Sequence, residues 1–474
     1  MYGGPVELHV TLSGRGDLSA RIYRQLHEAV VEGRLRSGER LPPTRELARQ
    51  LSVSRNTVAL AYERLTAEGF LVGRVGAGTF VCANPPLQVA KSTSSAGAGA
   101  RPVWQELANP ATRPAGPPAY DFGVGIPDAH RFPMTAWRRH VTRVLRELPP
   151  RDGLYGDPAG HAGLRGEIAR HIGLSRSVRV TAEQVLVTSG TQQALDLVAR
   201  VLLAPGDRVA VEEPGYAPAR ELFASHGARV TGVPVDAEGI VVQGLPDGTR
   251  VVYTTPSHQF PLGPPMSLGR RTALLEWARQ AGAVVIEDDY DSEFRFADRP
   301  LEPLHSLDRG DRVLYVGSFS KTMLPMLRLG FLVAPPSLFA ALRSAKRLAD
   351  LQTETTTQGA MAGFMADGLF VRHLRRATRE YGARRAVILA ALRRDFAERL
   401  EVVPSTAGLH LAAWPKGDVD VAALVERAAA AGVGVVDLAE YHGFGPGRPG
   451  LALGYGRIEQ DRIEEGLRLL GEVW

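Results

Sequence analysis

The stretch from Cys82 to Ala119 does most to limit how this chain can fold. It reads Asn84-Pro85-Pro86, then Ser92-Thr93-Ser94-Ser95-Ala96-Gly97-Ala98-Gly99-Ala100, then Arg113-Pro114-Ala115-Gly116-Pro117-Pro118. Prolines remove backbone donors, glycines add chain entropy, and there is little large apolar surface to offset either, so no core can form there. Val103-Trp104 is an exception, a pair able to dock locally. The 474 residues therefore divide into a small body over 10–81, a linker over 82–119 and a large body over 120–474.

The charge is divided in the same way. Residues 10–80 hold eleven arginines, no lysine and seven acidic residues, a net of +4 within a chain total of +5. A compact basic module beside a near-neutral body is the electrostatic footprint of nucleic-acid binding, although a solvated arginine-rich surface carries the same charge. Cys82 is the single cysteine, so the chain has no intramolecular disulfide and no cysteine-based zinc site; no metal is expected, and a reducing compartment is implied. The N-terminal residues lack a basic flank followed by an apolar core, and no run approaches the ~18 apolar residues of a membrane span. The expectation is a cytoplasmic protein with no membrane contact.

In the small body, Asp17-Leu18-Ser19 opens a helix whose Leu18, Ile22, Leu26 and Val30 recur every four residues. Leu41-Pro42-Pro43 breaks the chain before Thr44, read as the N-cap of a short helix that ends at Leu51. Ser52-Val53-Ser54 then turns into a helix over Arg55–Glu68 with Val58, Tyr62 and Leu65 inward. Two short helices joined by a tight turn read as a helix-turn-helix, and Gly69–Val72, Gly76-Ala77-Gly78 and Thr79–Val81 add a hairpin wing.

These segments resemble the GntR-type winged helix-turn-helix: Gly38-Glu39-Arg40-Leu41-Pro42-Pro43-Thr44-Arg45-Glu46-Leu47-Ala48, Val53-Ser54-Arg55-Asn56-Thr57-Val58, and the Glu68-Gly69-Phe70 and Gly76–Val81 wing. The resemblance implies that Arg55, Asn56 and Thr57 enter the major groove of double-stranded operator DNA. Arg45 would then lie at the preceding helix start, and Gly76 at a wing tip near the minor groove or phosphates. Arginine can bridge guanine O6/N7 or a phosphate, and helix-start amides favour phosphates. Any one of these residues could equally be a surface group or a cap.

In the large body, strand-like runs alternate with helical patterns: Gln184–Thr188, Arg208–Val211, Arg250–Thr254, Ala283–Glu287 and Arg312–Val316. This predicts an α/β fold with a largely parallel sheet. Val313–Gly317 leads into Ser318-Phe319-Ser320-Lys321, which delivers a lysine and two serines to a strand's carboxyl end, where open α/β sheets bind ligands. Taken alone, a strand-end lysine is more often exposed decoration. Val284-Val285-Ile286-Glu287-Asp288-Asp289-Tyr290 ends another strand in carboxylates able to hold a ring nitrogen protonated. Gln184–Thr188 followed by Ser189-Gly190-Thr191-Gln192 is a strand, a glycine turn and a helix start suited to phosphate.

Together these resemble the fold-type I aminotransferases that depend on pyridoxal 5'-phosphate (PLP). The resemblance implies that Lys321 forms the Schiff base with PLP, Asp288 pairs with the pyridine nitrogen in preference to Asp289, and Tyr290 lies near the ring oxygen. Gly190, Thr191, Gln192, Ser318, Ser320 and Arg328 would hold the phosphate, and Tyr216 would stack on the ring. His258 or Gln259 would take the place of the family's ring-oxygen asparagine. Tyr155 would reach a partner subunit's phosphate, which implies a homodimer.

The order of a GntR-type reader, a linker and an aminotransferase-like body resembles the MocR family of transcription regulators, in which PLP, alone or with an amine, changes how a dimer holds DNA. Where amino-acid binders carry an arginine in a C-terminal Arg-Leu-Gly-Phe-like strand, this chain reads Leu451-Ala452-Leu453-Gly454-Tyr455. Losing that bidentate contact disfavours an amino-acid ligand. Arg457 lies at an odd offset from Ala452, and Pro218 replaces a second anion-binding arginine. The chain thus resembles the PdxR branch, which implies a sensor of PLP itself that controls vitamin B6 synthesis or salvage rather than an enzyme. The competing expectations are an amine co-effector and an active aminotransferase.

Overall fold

The computed structural model describes residues 17–74, 76–83, 99–107, 118–147, 154–296 and 302–474. It separates into two compact units, Met1–Gly99 and Ala100–Trp474. The proline- and serine-rich parts of the expected linker, 84–98 and 108–117, lie outside the described residues. Between them, Pro102–Glu106 forms one short helix, and the Arg101 guanidinium donates to the Ser225 carbonyl at 3.3 Å, so this part of the expected linker belongs to the second unit.

The first unit contains α1 (Leu18–Val31), α2 (Thr44–Gln50), α3 (Arg55–Ala67), β1 (Leu71–Arg74) and β2 (Gly78–Val81). Asp17 caps α1 by accepting from the Ser19 and Ala20 amides, and Ile22, Leu26, Ala29 and Val30 form its buried stripe, with Leu18 half-buried at the start. The expected cap at Thr44 is corrected. Pro43 is the N-cap residue, its carbonyl receiving the Glu46 and Leu47 amides, and no side chain caps α2 because the proline ring has no acceptor. Ser54 caps α3 and accepts from the Thr57 amide at 3.1 Å. Val58, Ala61, Tyr62 and Leu65 pack with Leu47 and Ile22 into a core confined to this unit. The hairpin is antiparallel, with Leu71 opposite Val81 and Arg74 opposite Gly78.

The second unit is built on one eight-stranded sheet, in the order Val185–Thr188, Gly330–Val333, Val313–Ser318, Val284–Asp289, Thr249–Thr254, Arg208–Glu213, Arg229–Asp236, Gly239–Ile240. The five strands from Val313–Ser318 to Arg229–Asp236 are mutually parallel, whereas Gly330–Val333 is antiparallel to both neighbours. Alternate residues face opposite layers. Val251, Ile286 and Val316 pack under Leu195 and Phe223 of the helices Thr191–Leu202 and Ala217–Ser225. Val252, Val285 and Val313 pack under Leu274 and Ala278 of the helix Leu268–Ala281. Burial on both faces explains why these strands read as unbroken apolar runs. A smaller antiparallel sheet, Leu400–Val402, His410–Pro415, Leu451–Gly454 and Val436–Asp437, follows the long helix Leu369–Asp395.

Candidate functional site

In the first unit, Arg55 and Asn56 open α3 and are exposed, as are Arg45 on the first turn of α2 and Gly76 at the hairpin tip. Thr57 is half-buried, and its hydroxyl lies 2.7 Å from Ser54 Oγ, so it is partly committed to the cap. The Tyr62 hydroxyl donates to the Pro42 carbonyl at 2.9 Å and ties α3 to the chain break before α2. This bond fixes the angle at which the two helices present their first residues.

In the second unit, a cavity of about 290 Å³ opens at the carboxyl ends of the parallel strands. Lys321, Asp288, Tyr290, Tyr216, Thr191, Gln192, Ser318, Ser320 and Arg328 all border it, although they are scattered over more than a hundred residues of sequence. Gly190 stands at its edge. Its φ of +99° is open to glycine, and a Cβ there would lie 3.2 Å from an Arg328 guanidinium nitrogen. Gly330 permits the same crowding from below, since a Cβ would approach Gly190 Cα to 2.8 Å. The helix Thr191–Leu202 begins at Gly190 with no side-chain cap, so its first amides are available to an anion. Arg328, itself in left-handed backbone, donates to the Ser189 carbonyl at 2.6 Å and is held over that turn.

At the opposite end of the cavity the Tyr253 hydroxyl donates to Asp288 Oδ2 at 2.8 Å, and Asp288 Oδ1 has no partner. Burial pushes the Asp288 carboxyl up to about 7, against the pull of Tyr253 and Lys321. A cationic ring nitrogen beside Oδ1 would restore the carboxylate. Lys321 donates to the Gly125 carbonyl, and burial lowers its ammonium from the ordinary range against the opposing charges of Asp291 and Asp288. A desolvated lysine with a depressed pKa is a better nucleophile toward a carbonyl. Gln192 Nε2 is also buried, beside the Tyr216 hydroxyl. The unpartnered Asp288 oxygen, the open helix amides and the aromatic rings on the wall fit a flat ring that bears a phosphate.

Asp289 points away from the cavity. It accepts from Arg176 Nε at 2.8 Å and from the Tyr315 hydroxyl at 2.6 Å, so strand alternation separates the two adjacent carboxylates. His258 and Gln259 do not border the cavity, contrary to the expectation that one of them does; Phe260 does. The Gln259 amide is committed to Glu212 and to the Pro214 carbonyl. His258 Nδ1 faces Asp291 at 3.0 Å and the Tyr290 hydroxyl at 2.9 Å, which makes His258 a support for Tyr290. Tyr155 is 76% exposed and also lies off the cavity wall. Tyr253, Val124, Gly125, Thr255, Phe260 and Pro325 also border the cavity and are not among the residues expected from the sequence. A tyrosine within an apolar strand, Val251-Val252-Tyr253, was the available signal for the first.

The aminotransferase class I and II family model matches residues 118–442, and the model of bacterial regulatory proteins of the gntR family matches residues 18–81. Over 459 residues the chain is 37% identical to the probable rhizopine catabolism regulatory protein MocR of Rhizobium meliloti, covering 95% of this chain and 92% of that protein. This chain belongs to the MocR-type GntR regulators. Another member, the pyridoxine biosynthesis transcriptional regulator PdxR of Corynebacterium glutamicum, is 32% identical over 94% of this chain and 93% of its own length. The MocR-type body matches the solved α-aminoadipate aminotransferase LysN of Thermus thermophilus, complexed with N-(5'-phosphopyridoxyl)-L-leucine, with a TM-score of 0.68 and 33% identity over 74% of this chain and 91% of that one. The chain is thus a DNA-binding transcription regulator with an aminotransferase-like domain. Among the described residues no helix is long and apolar enough to cross a membrane.

Proposed function

We propose that this regulator acts as a homodimer that senses PLP and controls genes of vitamin B6 synthesis or salvage. Lys321 would hold the cofactor covalently, Asp288 would pair with its ring nitrogen, and Tyr290 would face its ring oxygen. Tyr216 and Phe260 would flank the ring, and Gly190, Thr191, Gln192, Ser318, Ser320 and Arg328 would take the phosphate. PLP supplies an aldehyde that condenses with amines. Here the residues around it bind and orient more than they process. Tyr155, exposed and off the cavity wall, is free to reach a partner subunit. Arg55, Asn56 and Thr57, with Arg45 and Gly76, would contact the operator. Control then requires PLP to stabilise one dimer geometry over another, because equal affinity for both shifts nothing.

One observation carries the choice of ligand. Ala452 is fully buried in an apolar cluster with Ala412 and Leu438, where an amino-acid binder presents an arginine. Arg457 does not replace it, since its guanidinium pairs with Asp121 at 2.8 Å. Without a planar cation the cavity lacks the group that grips an α-carboxylate. A second reading, PLP with an amine that lacks a carboxylate, is equally compatible with the absence of that cation.

The test is an absorbance titration of the apo-protein with PLP, followed by amino acids and non-carboxylate amines, with binding to promoter fragments of PLP-synthesis genes measured in parallel. The expected result is saturable PLP binding that alters promoter affinity and is abolished by Lys321→Ala, with no spectral response to amino acids. A response to a non-carboxylate amine selects the second reading. Conversion of the spectrum by an amino acid, or sustained keto-acid production, overturns both.

A further inference from the structure

A second cavity, of about 970 Å³, lies between the helix Ala162–Arg176, the loop after Asp289 and the first turns of the helix Leu369–Asp395. It shares no lining residue with the cavity that holds Lys321. Leu174, Phe370, Val371 and Leu374 give it an apolar side. Arg176, Arg295, Arg375 and Arg379, with Ser292 and Glu293, line it as well.

The polar side is unfinished. Arg176 Nη1, on a residue only 5% exposed, has no hydrogen-bond partner, and neither do Arg295 Nε and Glu293 Oε2. Arg176 is ion-paired, with Asp289, but Arg295, Arg375 and Arg379 make no ion pair among the described residues. Burial and the neighbouring Asp289 push the Glu293 carboxyl up to about 8, so at neutral pH it holds its proton and cancels little of this charge. Desolvated donors of this kind cost free energy until an acceptor reaches them. An acceptor alone would leave the apolar lining wet, so the complementary ligand carries both a negative group and an apolar body.

We propose that this cavity is a second ligand site, for a small organic anion with an apolar ring or chain. Its position gives it a route to the strand ends. Arg176 Nε donates to Asp289 and Nη2 donates to Ser257 Oγ at 2.6 Å, so one guanidinium braces the segments that carry Asp288 and His258. A ligand that accepts from Nη1 completes that brace. The proposal stands apart from the reading of the first cavity, because its residues are different.

The test is calorimetric titration of the full chain with phenyl phosphate. Benzyl alcohol serves as the uncharged probe and inorganic phosphate as the anion without an apolar body. The parent is compared with Arg328→Gln, which disables phosphate binding in the first cavity, and with Arg375→Gln/Arg379→Gln. Both of those arginines are exposed, and an unchanged melting temperature verifies that the double variant folds. The expected result is saturable phenyl phosphate binding that survives Arg328→Gln, weakens at least tenfold in Arg375→Gln/Arg379→Gln, and is at least tenfold weaker for both other probes. Binding lost in Arg328→Gln but kept in the double variant overturns the proposal, as does binding kept in both variants, binding equalled by benzyl alcohol, or no saturable binding.

Discussion

The two units keep their working side chains on opposite sides of the water boundary. In the first, the core contains Ile22, Leu47, Val58 and Leu65, and Arg45, Arg55 and Asn56 are exposed, so that water satisfies their polar groups. In the second, Asp288, Asp289, Arg176 and His258 are each at least 95% buried, and their stability depends on one another or on a ligand. A surface reader can therefore lose a functional residue without unfolding. A buried polar cluster cannot, because each of its groups is also part of the packing.

This contrast can be broken in four ways. The largest effect is expected from Arg176→Gln, which strands the buried Asp289 carboxylate and should cost the second unit on the order of 3–5 kcal/mol in denaturant unfolding. Its counterpart in the first unit, Arg34→Gln, removes an ion pair to Glu32 in which both side chains are 58% exposed, and should leave unfolding unchanged within error. Equal losses in the two variants would remove the distinction drawn between the units.

Acid should separate the units next. Burial holds His410 down to about 3, with its Nε2–H donated to the Pro261 carbonyl. Because the folded pKa lies below the unfolded one near 6.5, the neutral histidine contributes stability above that pH, which is lost as pH falls from 6.5 toward 3. His410→Gln removes this dependence. Relative to the parent, the variant should gain on the order of 2 kcal/mol between pH 6.5 and 5, read from denaturant midpoints at each pH. A constant difference between parent and variant across that range would show that His410 titrates normally.

Arg55→Ala should weaken operator binding by about 1–3 kcal/mol, roughly 5-fold to 150-fold, while PLP uptake by the second unit stays at the parent value. A matched loss of PLP affinity would show that the helix start of α3 is not solely a DNA contact. The smallest effect is expected at the wing. Gly76 has φ +75°, so Gly76→Ala should cost the first unit about 1 kcal/mol, visible as a lowered melting temperature of residues 10–81 and not of the second unit.

Legibility followed the same division. The inward stripe of α3 and the wing were readable because they depend on neighbours within a few residues, and Pro43 in place of Thr44 as the cap shifted only one position. The cavity residues were readable where a motif marks a strand end, as at Ser318–Lys321, Asp288 and Gly190–Gln192. The motif failed at Pro256–Pro261. Three adjacent side chains there have different neighbours: His258 faces Asp291, Gln259 faces Glu212 and Phe260 faces the cavity. Local chemistry favours the polar pair for a polar ligand, and only the path of the loop selects the phenyl ring.

By itself the sequence determined the division into a basic reader and an α/β body, the strands that carry the site, and the lysine at its centre. These follow from composition, periodicity and short motifs, which act over a few turns of chain. The tertiary structure decided which of two neighbouring aspartates meets the cavity, that Lys321 rests on the Gly125 carbonyl 196 residues away, and that Arg176 braces Asp289 across 113 residues. It also decided that Arg295, Arg375 and Arg379 share one cavity. Such pairings depend on how sheets and helices stack. Contacts between distant segments leave no periodic trace in the chain that makes them.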